Sequence, residues 1–303
     1  MNDIKRMKII TFTCWIITAV VLVGVAAWVV VGMRPFERGW VTFGGWSDVH
    51  TGPMEVVGTH NVPAGGVRSM HIEWTSGAVD VRPWDGNYIR ITEHSPRELR
   101  AGENLQLDTS GDTVTIEFRA RGTPMHNMPA KNLEVLVPRE LGGNFDRFSI
   151  DSTSGRVVID AIGATTFTID SISGRIEVSG ASADEISLRS VSGRVEVSGA
   201  QAQRLTVTTT SGRQELFGSF GQANLSSVSG RVEFTGTTVP ADLTIGSTSG
   251  RVAVTVPDEG AISVHHSSVS GRFSSEIPVI LHDGNPQFSL STVSGRVGIY
   301  SLR

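Results

Sequence analysis

The tripeptide Ser-Gly-Arg recurs eight times, and its spacing constrains the fold more than any other feature. Its glycines are Gly155, Gly174, Gly193, Gly212, Gly230, Gly250, Gly271 and Gly295, at intervals of 19, 19, 19, 18, 20, 21 and 24 residues. A near-fixed period of this size marks stacked repeats, in which one unit cannot bury its apolar face alone. The flanks repeat too. Phe167–Val178 and Ile186–Val197 each alternate apolar and polar residues on both sides of the Ser-Gly corner, as strands with one buried face do. Glycine at the corner supplies a positive φ or a close backbone approach.

These features predict an all-β fold: a single-chain β-solenoid with coils of about nineteen residues, wound as a right-handed β-helix by the crossover rule. Nineteen residues is too short for a βαβ unit, and no repeat carries a 3.6-residue period. Stacking joins Ile150, Ile169, Leu188, Val207, Leu225 and Ile245 into one inner ladder, and Val157, Ile176, Val195, Val232, Val252 and Val297 into a second. Eight coils at ~4.8 Å make a segment of about 38 Å. A β-propeller is the main competitor, but its blades need about 40 residues; a stack of antiparallel hairpins is the other.

The regular repeats occupy 144–303. Residues 67–143 read as an irregular β cap or opening coils, with degenerate units at Ile72–Val81 and Leu105–Ile116, because a solenoid must cover its open end. Pro124–Pro129 reads as a loop. Residues 34–66, rich in glycine and proline, read as a juxtamembrane stalk.

Ile9–Met33 holds 25 residues without a formal charge, long enough as a helix to cross a ~30 Å hydrocarbon core. It is read as an uncleaved transmembrane signal-anchor, since the apolar part of a cleaved signal is usually about 7–15 residues. Lys5, Arg6 and Lys8 precede it, which places the tail 1–8 in the cytoplasm and the remainder outside the cell membrane. Trp28, Trp40 and Trp46 suit the outer interfacial belt. Cys14, the sole cysteine, lies in the apolar run, so the rest can form neither a disulfide framework nor a thiolate metal site.

At Ser192-Gly193-Arg194-Val195-Glu196-Val197 and at Trp74-Thr75-Ser76-Gly77-Ala78-Val79, the chain resembles the bacterial putative-adhesin family, a β-strand-repeat domain of unknown function. The resemblance covers roughly residues 66–303. It implies a β-solenoid-like fold and an envelope setting, some members lying beside envelope-stress signalling genes. It supplies no catalytic residues.

The arginines of the eight corners would stack about 4.8 Å apart and repel one another by about 1 kcal/mol per neighbour in water. Glu177, Glu196, Glu215 and Glu233 lie two residues after their arginines and share their face. The plain reading is an exposed Arg/Glu ladder. Arg251, Arg272 and Arg296 are followed instead by Ala253, Ser274 and Gly298, so any anion-binding strip belongs there. From residue 144 onward there are 12 arginines, no lysine and 15 acids, which argues against a broad basic footprint and against nucleic acid.

The hydroxyl row Ser152, Ser171, Ser190, Thr209, Ser227, Ser247, Ser268 and Thr292 recurs in every coil, whereas a nucleophile is singular. It reads as hydrogen bonding between coils. His265 and His266 fall in the 21-residue coil and read as a bulge. Asp151 and Asp170 share a register position without persisting. The eight histidines show no metal spacing, and no cofactor motif is present. The sequence therefore points to a non-enzymatic, membrane-anchored scaffold, adhesin-like or binding an anionic cell-envelope polymer. An accessory of envelope-stress sensing acting through a membrane-protein partner is the alternative, and a carbohydrate-active β-helix enzyme ranks last.

Overall fold

A computed structural model describes residues 53–120, 122–125, 127–280 and 284–302. The expected tail 1–8, the expected anchor 9–33 and the first part of the expected stalk lie outside the described residues. Among those described, no helix is long and apolar enough to cross a membrane.

The described residues form one compact unit. Its strands are β1 (Glu55–Pro63), β2 (Ser69–Ser76), β3 (Val79–Trp84), β4 (Tyr88–Ser95), β5 (Gln106–Asp108), β6 (Thr113–Glu117), β7 (Asn132–Pro138), β8 (Phe145–Asp160), β9 (Gly163–Ser179), β10 (Ser182–Gly236), β11 (Asp242–Pro257), β12 (Ile262–Ser275), β13 (Val279–Ile280) and β14 (Gln287–Leu302), with a single-turn helix α1 (Arg139–Gly142) after β7. All strands join one sheet. From β8 onward the pairing is parallel and in register: Ile150 faces Ile169, which faces Leu188, and Val157 faces Ile176, which faces Val195. Both inner ladders therefore form, in a solenoid-like stack. Parallel pairing at this register is incompatible with hairpins or propeller blades.

The stack departs from chain order at its C-terminal end. Strand β14 inserts between β11 and β12, so Gly250 is followed by Gly295 and only then by Gly271. Composition accounts for this. The inner positions of β14 are Phe288, Leu290, Val297 and Ile299, all buried. The matching positions of β12 are Val264, His266, Phe273 and Ser275. An interior layer is covered on both sides, so the more apolar strand takes it and the strand with His266 and Ser275 takes the end.

The opposite end is built from the irregular residues. Strand β2 stacks in parallel on the first arm of β8 and β3 on its second, so Ile72–Val81 is a true coil with its corner at Gly77. Beyond it lies a coil cut in two: β6 pairs with β2 and β7 with β3, with residues 118–131 interposed at the corner. Leu105–Ile116 is thus not one coil, as its pattern suggests; Gln106–Asp108 turns back antiparallel on β6. Antiparallel β4 and β1 close the edge beside β7. The stalk reading ends too late, because Glu55–Pro63 is a full strand paired with β4. Its single apolar face at Val62 and its glycine content hid that pairing.

Two features could not be read from the sequence. At the corner of the cut coil stands Lys131, fully buried. Its Nζ donates to the Glu93 carboxylate, to the Glu103 carbonyl at 2.6 Å and to the Phe118 carbonyl, and it lies 4.2 Å from the Phe118 ring centroid. In the middle of the stack, Gln214 takes a valine position of the second ladder. Its Nε2 donates to Thr209 Oγ1 and the Ser226 carbonyl, both at 2.8 Å.

Candidate functional site

Each corner is set by its glycine. Gly193, Gly212, Gly230 and Gly250 have φ between +140° and +147°. A Cβ on Gly212 would fall 1.7 Å from the Gly193 carbonyl oxygen, and one on Gly230 1.8 Å from that of Gly212. Neighbouring coils thus touch backbone to backbone, and any side chain would wedge them apart.

This contact holds the arginine row in line beside the corner. Arg156 forks onto Glu177 of the next coil, its Nε donating at 2.9 Å. Arg175 reaches Glu177 at 3.0 Å and Glu196 at 3.6 Å. Arg194, Arg213 and Arg231 bond Glu196, Glu215 and Glu233 at 2.9, 2.8 and 3.1 Å. The hydrogen bond from Arg156, followed by those of Arg175 and the nearby charges, holds the Glu177 carboxyl below its usual range against the opposing effect of burial. The ladder is self-neutralised over these coils, and solvent screening keeps the contribution of each exposed pair to stability small.

At the reordered end the pattern stops. Arg251, Arg296 and Arg272 occupy successive layers, all three exposed, and none has an ion-pair partner among the described residues. The glutamate column is replaced by Ala253, Gly298 and Ser274 in the same register. Gly298 is itself covered: a Cβ there would meet the Tyr300 hydroxyl at 2.5 Å. The Tyr300 ring therefore lies over the middle position of the vacated glutamate column. Aliphatic corner residues line the other flank, Val269 being 56% exposed. The sequence singles out the three arginines, but it places Arg272 next to Arg251. The structure puts Arg296 between them.

The hydroxyl row behaves otherwise than expected. Its members point inward and are mostly buried, yet only Thr209 and Ser227 bond each other, at 3.3 Å. Ser152, Ser190, Ser247, Ser268 and Thr292 have no partner for their hydroxyls. The narrow inner angle of the corner takes a small side chain, and size rather than hydrogen bonding explains the row. The serines just before the corner glycines do bond between coils, Ser154 Oγ donating to the Thr75 carbonyl at 3.2 Å.

His265 and His266 form no bulge, since β12 keeps register with β14 through both. His266 turns inward, 4.9 Å from the Phe273 ring. Burial, then the neighbouring His265, lowers its pKa.

Stacking also brings together a serine, a histidine and an aspartate that the sequence separates. His71 Nδ1 lies 2.9 Å from Ser149 Oγ, and its Nε2 lies 3.8 Å from Asp151. Aligning Trp74-Thr75-Ser76-Gly77 on the repeat would have found the pair. The aspartate is beyond hydrogen-bond range, so the three do not form the hydrogen-bonded chain of a triad. Asp151 and Asp170 are in register as expected; burial first, then Asp151, raises the Asp170 pKa against the opposing Arg189. Among the described residues no group of three or more metal-ligating side chains converges.

The repeat carries a family signature. The Toastrack DUF4097 family model matches residues 67–295. The chain belongs to the Toastrack DUF4097 family. A putative adhesin from Parabacteroides merdae is similar in structure, with 10% identity, coverage of 79% of this chain and 95% of that one, and a TM-score of 0.54. A putative adhesin from Bacteroides fragilis aligns over 82% of this chain and 97% of its own, at 13% identity and a TM-score of 0.48. The first of these likenesses is one of fold alone. No curated protein matches the chain.

Proposed function

We propose that this Toastrack protein is a non-enzymatic, membrane-anchored surface scaffold that binds an anionic cell-envelope polymer along Arg251, Arg296 and Arg272. The observation that carries the reading is the adjacency of three exposed arginines with no acid in their column. At ~4.8 Å spacing the central Arg296 is repelled by about 2 kcal/mol from its two neighbours at low salt, repulsion that a polyphosphate-type backbone would relieve. Guanidinium groups bind phosphate through forked hydrogen bonds, and Tyr300 offers a sugar or glycerol unit an apolar surface. The similarity to putative adhesins fits a surface setting. The charge-free run Ile9–Met33 behind Lys5, Arg6 and Lys8 supports an anchor with a cytoplasmic N-terminus. Right-handed winding, by the crossover rule, belongs to the same reading.

The test uses the full chain in lipid nanodiscs with poly(glycerol phosphate) as probe. Binding at low ionic strength should weaken at least about tenfold in the triple variant Arg251→Ala/Arg272→Ala/Arg296→Ala, and it should fall steeply with salt. Absence of wild-type binding at low salt, or an unchanged triple variant, defeats the proposal.

A further inference from the structure

The described residues also enclose a cleft of about 970 Å³ beside the irregular coils. Four segments that depart from the repeat converge on it: the β1–β2 link 64–68, the β3–β4 turn 84–87, helix α1, and residues 144–146 leading into β8. The regular coils need none of these excursions for stacking. Their size places the cleft at the upper end of small-ligand sites, which span about 300–1,000 Å³.

One side of the cleft carries the half-buried Trp84, held in place by its neighbours. Trp84 Nε1 donates to the Tyr88 carbonyl at 3.0 Å, the Tyr88 ring meets its edge at 4.9 Å, and the Arg90 guanidinium lies 4.3 Å from its ring centroid. Gly86 packs so closely that a Cβ would come within 2.1 Å of the indole. A residue other than glycine would displace the tryptophan.

The remaining wall offers hydrogen-bonding groups of both kinds. Arg139 Nε donates to Asp85 Oδ1 at 2.6 Å, and both side chains remain exposed. Arg68 pairs with Asp146 at 3.2 Å. Asn87 and Glu140 are exposed. The lining charges, two arginines against Asp85, Glu140 and Asp146, nearly cancel. The cleft is therefore unlike the arginine strip and does not favour a polyanion.

We infer that this cleft is a second binding site, one that takes an uncharged saccharide. A sugar presents an apolar C–H surface together with hydroxyls that both donate and accept. The cleft offers it the exposed part of a fixed indole together with the exposed carboxylate, amide and guanidinium groups of Asp85, Asn87 and Arg139. Balanced charge favours a neutral ring over an acidic or phosphorylated one.

The experiment is ligand-observed NMR titration of the full chain in lipid nanodiscs with maltotriose and with chitotriose. At least one should bind with a Kd of about 1 mM or tighter. Asp85→Ala/Asn87→Ala, at exposed side chains, should weaken that binding at least about tenfold with an unchanged circular dichroism spectrum. The triple arginine variant should bind the sugar as the wild type does, which separates this site from the strip. The inference is overturned if neither sugar binds by about 10 mM, if binding survives the double variant, or if the arginine variant abolishes it. Should the double variant misfold, Asn87→Leu alone takes its place, and unchanged affinity in it is equally fatal.

Discussion

Replacing Lys131 by methionine should be among the most damaging single changes in the protein. The lysine is fully buried, and Glu93 is 1% exposed. Burial pulls the ammonium pKa down, and the Glu93 carboxylate opposes that shift. Methionine keeps the volume, and the bond from Trp74 Nε1 to the Lys131 carbonyl, at 2.8 Å, survives because it uses backbone. Three charge-assisted hydrogen bonds of about 1.5–3 kcal/mol each are lost, offset in part by relief of lysine desolvation. Glu93 then keeps only the Leu105 N–H, at 3.1 Å from both oxygens, as a buried charge without a counter-ion. The net cost should be about 3–5 kcal/mol. Adding Glu93→Gln removes the stranded charge, so the double variant should recover at least ~2 kcal/mol relative to the sum of the single effects. Urea unfolding at neutral pH measures the cycle. A single-variant cost under ~1 kcal/mol, or effects that merely add, would refute the view of Lys131 and Glu93 as one coupled unit.

Two further outcomes follow from the same geometry. Gly212→Ala should cost about 3 kcal/mol or more, since its Cβ would meet backbone at 1.7 Å. Gly271→Ala at the end coil should cost clearly less, because the Cβ there meets the Ser268 side chain at 2.5 Å and backbone only at 2.7 Å; equal thermal shifts would contradict this. The hydrogen bond from Arg97 chiefly, aided by the Arg100 N–H and both positive charges, outweighs burial and lowers the Glu103 pKa from 4.5 to about 2. A carboxyl with a lowered folded pKa stabilises fully above its unfolded pKa, and that contribution disappears as pH falls from about 4.5 through about 2. It should amount to about 3 kcal/mol. In urea titrations the advantage of wild type over Glu103→Gln should therefore shrink across that interval; a constant difference would count against the assignment.

The sequence by itself determined the coil. Eight Ser-Gly-Arg corners specify the turn, alternation specifies which face is buried, and Glu177 to Glu233 specify which arginines are neutralised, because these are short-range rules of backbone conformation and strand periodicity. Resemblance at Trp74–Val79 likewise pointed to the first coil. Tertiary structure alone decided the order of the last three layers, the corner role of Lys131, and the convergence of four excursions on Trp84. Each of these depends on which distant segments compete for one position. Phe288 and Ile299 outbid His266 and Ser275 for an interior layer, and Lys131 holds the corner of a coil whose two arms are separated in sequence by residues 118–131. Such competition is settled by burial and pairing across the whole stack, and the local pattern around any one residue carries no record of it.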